Sequence, residues 1–238
     1  MPYKSKLFQR NNAGKRQMVP ASYSPRFSGG FRSANPKPKV SERSTQRLEN
    51  KSITVAGALI IANDTGNVFH LDTIGAGTLA SQRTGQKHQV TGVHLRGRVP
   101  MVSTTPYDQS VYYLVWDRSP NEIKPGFADI FQMASGIQAC HAFPNNSNSE
   151  RFIILARKAK NMTNADTANT TEYNESMQWS IDDYYSFSRK LIATSVTGGG
   201  STISDRTSGA LYLVAGGLQA GAAAPTMQID YRLYFNDV

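Results

Sequence analysis

The sequence predicts an all-β body, a jelly roll or another sandwich, with one short helix, behind a disordered basic arm. Three observations carry this. The first 50 residues hold 11 Lys or Arg against two acids, Glu42 and Glu49, and therefore all of the net charge of +9. Past them the helical period is almost absent, and short β-rich runs recur between turn residues. Several of these runs alternate apolar and polar residues, as half-buried strands do.

The arm scatters its cations: Lys4, Lys6, Arg10, Lys15, Arg16, Arg26, Arg32, Lys37, Lys39, Arg43 and Arg47. Gly29-Gly30, Pro20, Pro25, Pro36 and Pro38 break any periodic pattern. Such a segment buries too little apolar surface to offset its ordering entropy. Tyr3, Phe8, Tyr23, Phe27 and Phe31 interleave with the charges. That mixture allows phosphate neutralisation together with base stacking. The bland alternative is a solubilising tail or an expression tag. As a coil the arm spans about 40 Å, and fully extended about 165 Å, so it reaches well beyond its body.

Residues 51–238 carry 15 basic and 15 acidic residues and are neutral. They are numerous enough to bury a core of their own. Strands are expected near Ile53–Ala62, Asn67–Leu71, Gln89–Val102, Ser110–Trp116, Arg151–Arg157, Gln178–Val196, Ala210–Val214 and Met227–Phe235. In the last, Met227, Ile229, Tyr231, Leu233 and Phe235 share one face, and Gln228, Asp230, Arg232 and Tyr234 the other. Ser110–Trp116 is apolar on both faces and should be central and covered on both sides. Pro125–Met133 looks helical, with Phe127, Ile130 and Phe131 as a stripe that docks on a sheet. Turn residues in Thr73–Gly85, Pro144–Ser147, Gly198–Gly200 and Gly216–Pro225 separate the strands. Eight strands with little helix suggest a sandwich or barrel.

Composition excludes several classes. One cysteine, Cys140, allows neither an internal disulfide nor a thiolate metal cage, and suits a reducing compartment. No apolar run is long enough to span a membrane, and no secretory signal is expected. Sequons at Asn161 and Asn169 are therefore expected to be unused. His70, His88, His94 and His141 lack the spacing of a zinc helix. Cys140-His141 would point to opposite sides of a strand in ordinary packing. Asp182-Asp183 face opposite ways if on a strand, so a solvated loop or strand edge fits better than a metal site. Asp117-Arg118 reads as a strand end stabilising a turn. Gly198–Ser201 lacks the lysine of a phosphate-cradling loop. Neither a catalytic set nor a metal or cofactor is expected. Gly97, between Arg96 and Arg98, marks a close backbone approach or a bulge. On a regular strand the two arginines form a basic pair on one face, for DNA contact or for ion pairing.

Three stretches say more. Tyr112–Pro120 precedes the aromatic helix, Arg151–Lys158 follows it, and Gly209–Ala215 leads through a Gly/Ala loop to Tyr231-Arg-Leu-Tyr-Phe235. In order and spacing this ensemble resembles the coat protein of geminiviruses and related circular single-stranded DNA viruses, over about residues 51–238. The resemblance implies a single eight-stranded jelly roll at 51–238 behind a basic arm at 1–50. It also implies a shell of many copies packaging circular single-stranded DNA, residence in the virion and in the host nucleus, and contacts with nuclear import receptors and a vector receptor. Lys4, Lys6, Arg10, Lys15 and Arg16 are then the nuclear-localisation candidates. Two departures stand out: the arm has a single adjacent basic pair, Lys15-Arg16, and the Cys/His constellation of some members is absent. The competing readings are a coat protein of a small RNA or satellite virus and a non-viral sandwich that binds single strands. A glycosidase or lectin sandwich would want clustered carboxylates and exposed tryptophans, and only Trp116 and Trp179 exist.

Overall fold

A computed structural model describes residues 50–102, 106–163, 178–196 and 200–238. Eight strands form where the sequence placed them: β1 Asn50–Ile61, β2 Asn67–His70, β3 Lys87–Pro100, β4 Tyr107–Asp117, β7 Phe152–Thr163, β8 Gln178–Ser195, β10 Ala210–Gly217 and β11 Thr226–Asp237. Three short ones join them: β5 Phe131–Gln132, β6 Phe143–Pro144 and β9 Arg206–Ser208. All pairings between these strands are antiparallel, in a sheet ordered β1-β11-β3-β8-β9 and another ordered β2-β10-β4-β7. The chain crosses between the sheets from β1 to β2, β2 to β3, β3 to β4, β7 to β8, β9 to β10 and β10 to β11. That order is a jelly roll.

The core between the sheets takes alternate residues from each strand. β11 contributes the expected Met227, Ile229, Tyr231, Leu233 and Phe235, and β4 contributes Tyr112, Leu114 and Trp116. β4 buries its other face as well. Val111, Tyr113 and Val115 join Tyr212 and Val214 of β10 in a second core. The segment between β4 and β7 covers it, bringing Phe127, Ile130, Phe131, Ala139 and Cys140.

That covering segment departs from expectation twice. The helix is a single turn, α1 Phe127–Ile130, not a run to Met133. Asp129 starts it by accepting the Gly126 N–H at 2.7 Å. It stops because Phe131 and Gln132 pair with Pro144 and Phe143, and Asn145 donates to the Ile130 carbonyl at 2.9 Å. Cys140 and His141 lie in a 3-10 turn, Ala139–His141, not on a strand. The turn is held where Ala139 donates to the Asp64 carbonyl and packs on Gly216 of β10. Any Cβ at Gly216 would meet the Ala139 Cβ at 2.8 Å. Cys140 is buried and His141 exposed.

Candidate nucleic-acid interface

On β3 the core residues Val93, Leu95 and Val99 alternate with His94, Arg96 and Arg98, which point out of the five-stranded sheet. Gly97 keeps this strand regular. A Cβ there would meet the backbone oxygen of Gln228 at 2.0 Å and the Ile229 Cα at 2.9 Å. The glycine therefore admits a close approach of β11, as its place between two arginines suggested.

Pairing then assembles a polar face. Arg96 lies between Asp230 of β11 and Asp182 of β8, and Arg98 between Gln228 and Ser180. His94 lies between Arg232 and Tyr184. The Arg98 Nε donates to Gln228 Oε1 at 3.1 Å, and the Arg232 Nε to Thr54 Oγ1 at 2.9 Å. Asp182 meets the His94 Nε2 at 2.6 Å and the Arg96 Nη2 at 3.5 Å. The His94 hydrogen bond, with Arg96 beside it, holds the Asp182 carboxyl below the usual carboxylate range.

Two adjoining depressions lie on this face. One of about 550 Å³ is lined by Arg96, Gly97, Arg98, Ser180 and Gln228. The other, about 320 Å³, is lined by Thr54, His94, Arg96, Asp230 and Arg232. Tyr184 stands 60% exposed beside them, edge-on to Tyr234 at 5.8 Å and to His94 at 6.2 Å. Cations and exposed rings on a sheet face can engage phosphates and bases of a single strand. Three arginines against two aspartates leave a single net charge, so the face is a weak grip next to an arm of +9.

Of the sequence-predicted site residues, the structure therefore brings Arg96 and Arg98 together, both exposed. Lys4, Lys6, Arg10, Lys15, Arg16, Arg26, Arg32, Lys37, Lys39, Arg43 and Arg47 lie outside the described residues, as do the Asn169 sequon and Gly198-Gly199. Sequence reasoning passed over Arg232, His94, Tyr184 and Tyr234. The signal for two of them was present, since Arg232 and Tyr234 alternate with the apolar face of β11.

Several charged groups elsewhere hold the fold together. Asp117 ends β4, accepts the Ser119 N–H at 3.0 Å, and takes the Arg151 guanidinium at 3.0 and 2.8 Å. Asp182 and Asp183 lie on β8 and do face opposite ways, Asp183 meeting Lys158 and the Tyr112 hydroxyl, the latter at 2.6 Å. The fully buried Asp72 accepts the His88 Nε2 at 3.0 Å and the Arg206 Nη2 at 2.9 Å. Arg206 also reaches the Asp72 and Ile74 carbonyls, tying the start of β9 to the loop after β2. Burial would raise the Asp72 pKa, but His88 and Arg206 outweigh it and hold it to about 2. Burial pushes His70 down to about 4. Among the described residues no group of three or more His, Cys, Asp or Glu could hold a metal ion.

No curated protein matches the sequence significantly. Among solved structures the chain is similar to that of Desmodium yellow mottle tymovirus, at 13% identity and a TM-score of 0.35, covering 97% of this chain and 96% of that one. It is also similar to a chain of the Kashmir bee virus empty particle at acidic pH, at 9% identity and a TM-score of 0.30, covering 96% and 88%. Scores this low decide nothing about fold, which rests on the strand order above. Over residues 4–238 the sequence matches the geminivirus coat protein/nuclear export factor BR1 family, and the chain belongs to it.

Proposed function

We propose that this coat protein packages circular single-stranded DNA, with the arm at 1–50 neutralising phosphates inside a shell built by the jelly roll at 51–238. A coat protein is a structural, non-enzymatic component of the virion, acting in many copies. The observation that carries the packaging reading is the charge asymmetry, +9 on the arm against a neutral remainder. Neutral bodies approach one another without repulsion, while each arm releases counterions from the genome. The arm's aromatics add stacking, which favours single strands over a duplex whose bases are hidden. Arg96 and Arg98, with Arg232 and Tyr184, supply a second, weaker contact on the sheet face.

The test is a salt titration of binding to single-stranded and duplex DNA. If about eight arm cations each neutralise one phosphate, the slope of log affinity against log salt on single strands is roughly −6. Removing residues 1–50 abolishes most binding. A truncated protein that binds as tightly with the same slope overturns the reading. Entry into the host nucleus is assigned to Lys4, Lys6, Arg10, Lys15 and Arg16, in a family whose description includes nuclear export factors. A reporter fused to residues 1–50 then accumulates in the nucleus, and a cytoplasmic reporter refutes the assignment.

A further inference from the structure

The two sides of the sandwich are built differently. On one, β1 of the five-stranded sheet lies beside β2 of the four-stranded sheet; on the other, β8 lies beside β7. Among the described residues β1, β2 and β7 each pair with one neighbour only, and β8 meets β9 only at Thr194 and Ser195. Among the described residues both sides therefore end in strands that pair with no further strand along most of their length, edges that a stable fold must cover or protect.

The β7/β8 side carries a groove. Three contiguous depressions of about 330, 360 and 330 Å³ share Ile153 and Arg189. Their floor includes the half-buried Ile154 and Phe187 and the exposed Ile192. The groove exists because β8 bulges. Ser186 pairs with Gly92 and Leu191 with Val90, so Phe187 to Lys190 are looped out opposite Thr91. Among the described residues the exposed Arg189 and Lys190 make no ion pair, and Arg118 lies on the same rim. β7 adds the exposed Arg157, Lys158 and Lys160, of which Lys158 is paired with Asp183. This side is apolar at its floor and cationic at its rim, although residues 51–238 are neutral as a whole.

The β1/β2 side has the opposite character. Its one Lys or Arg, Lys51, is buried and bonded to Asp237 at 2.7 Å, and the loop joining β1 to β2 carries Asp64. The outward residues of β1 include Leu59 and Ile61, 64% and 46% exposed, Leu59 at the β1 margin of the depression that holds Arg98 and Gln228.

We propose that copies of this chain join head to tail, the β7/β8 groove of one receiving the β1/β2 side of the next. The inference rests on the coat-protein family and needs no nucleic acid. Pairing two β7/β8 sides would set Arg189 and Lys190 against their own copies, and like charges across an interface are strongly unfavourable. Pairing opposite sides sets the cationic rim near Asp64, covers Leu59 and Ile61, and occupies all four open edges. A heterologous contact of this kind closes into a ring when its rotation allows, as a closed shell requires.

Two variants of the full-length protein test this, at high salt and without DNA. Arg189→Glu with Lys190→Glu spoils the groove; Leu59→Asp spoils the opposite side. All three positions are exposed, so melting is unchanged. Each variant alone raises the protein concentration needed for assembly about a hundredfold by light scattering. Mixed in equal amounts they form a one-to-one pair that grows no further in sedimentation, because each keeps one good side. Leu59→Ser and Arg189→Gln, milder at the same positions, give smaller shifts in the same direction. If the Leu59 variant assembles like the parent, same-side contacts hold the shell and the proposal fails. It fails equally if the Arg189/Lys190 variant assembles normally and loses only DNA retention, which would make the rim a nucleic-acid contact. DNA retention by the arm, read on both variants, separates failure here from failure of the packaging reading.

Discussion

The outward faces of the two sheets have had opposite fates. That of the four-stranded sheet is covered by α1, β5, β6 and the turn at Cys140, so Val111, Tyr113, Val115, Tyr212 and Val214 are buried. That of the five-stranded sheet is bare, and His94, Arg96, Arg98, Gln228, Asp230 and Arg232 stand on it. The contrast is written into the strands. A strand with two cores is apolar on both faces where it is covered, as Val111–Trp116 of β4 and Ala210–Ala215 of β10 are; one with a free face alternates, as β11 does. What a capsid subunit presents to its genome or its neighbours is therefore to be sought where alternation survives.

The strongest way to break this contrast is to truncate one ring from each face. Phe131 is 1% exposed and lies 4.4 Å from the Tyr113 ring and 4.9 Å from Phe127. Phe131→Ala should cost about 3–5 kcal/mol in denaturant unfolding. Tyr184→Ala, on the bare face, should stay within about 0.5 kcal/mol. Equal costs would mean that the five-stranded sheet is covered too.

Acid offers a second probe. His70 lies on the covered face, tilted against Tyr212 at 5.4 Å, with its Nε2 buried and unpartnered among the described residues. Its folded pKa of about 4 lies below the ordinary 6.5, so the unfolded chain binds the proton first. Stability from keeping it neutral is complete above pH 6.5 and is lost as pH falls towards 4, by up to about 3 kcal/mol. His70→Gln should flatten that slope in unfolding experiments between pH 4 and 7. An unchanged slope would place the acid sensitivity elsewhere.

β-rich runs between turn residues, several of them alternating, made eight strands legible, and a doubly apolar run marked β4 as central. Pairings across long separations were not legible. Asp72 meets His88 at a separation of 16 residues and Arg206 at 134. No local pattern announces such a contact, and β9 forms partly around it. The helix was overestimated because Phe127, Ile130 and Phe131 fit a helical stripe equally well as one turn followed by a strand. Arg96 and Arg98 were visible as a pair, whereas their company with Arg232 and Tyr184 required the register of three strands.

Gly97 tests whether the bare face depends on close strand packing. Gly97→Ala puts a methyl against the Gln228 backbone oxygen, which only a shift of β11 can relieve. A loss of about 1–3 kcal/mol is expected in thermal unfolding. An unaffected melting temperature would show that β3 and β11 separate freely.

The smallest effect concerns what the bare face does. If Arg96, Arg98 and Arg232 each touch one phosphate, removing all three should make the salt slope on single strands shallower by about 2, one third of the arm's contribution. The three side chains hold only Asp182, Gln228 and Thr54, all by surface contacts, so alanine at these positions should leave melting nearly unchanged. Adding Tyr184→Ala should weaken binding without altering the slope, because stacking releases no counterions. Charge and stacking are thereby read separately in one titration of the full-length protein. A slope that stays the same in the triple variant would confine DNA contact to the arm and leave the sheet face to ion pairs within the subunit.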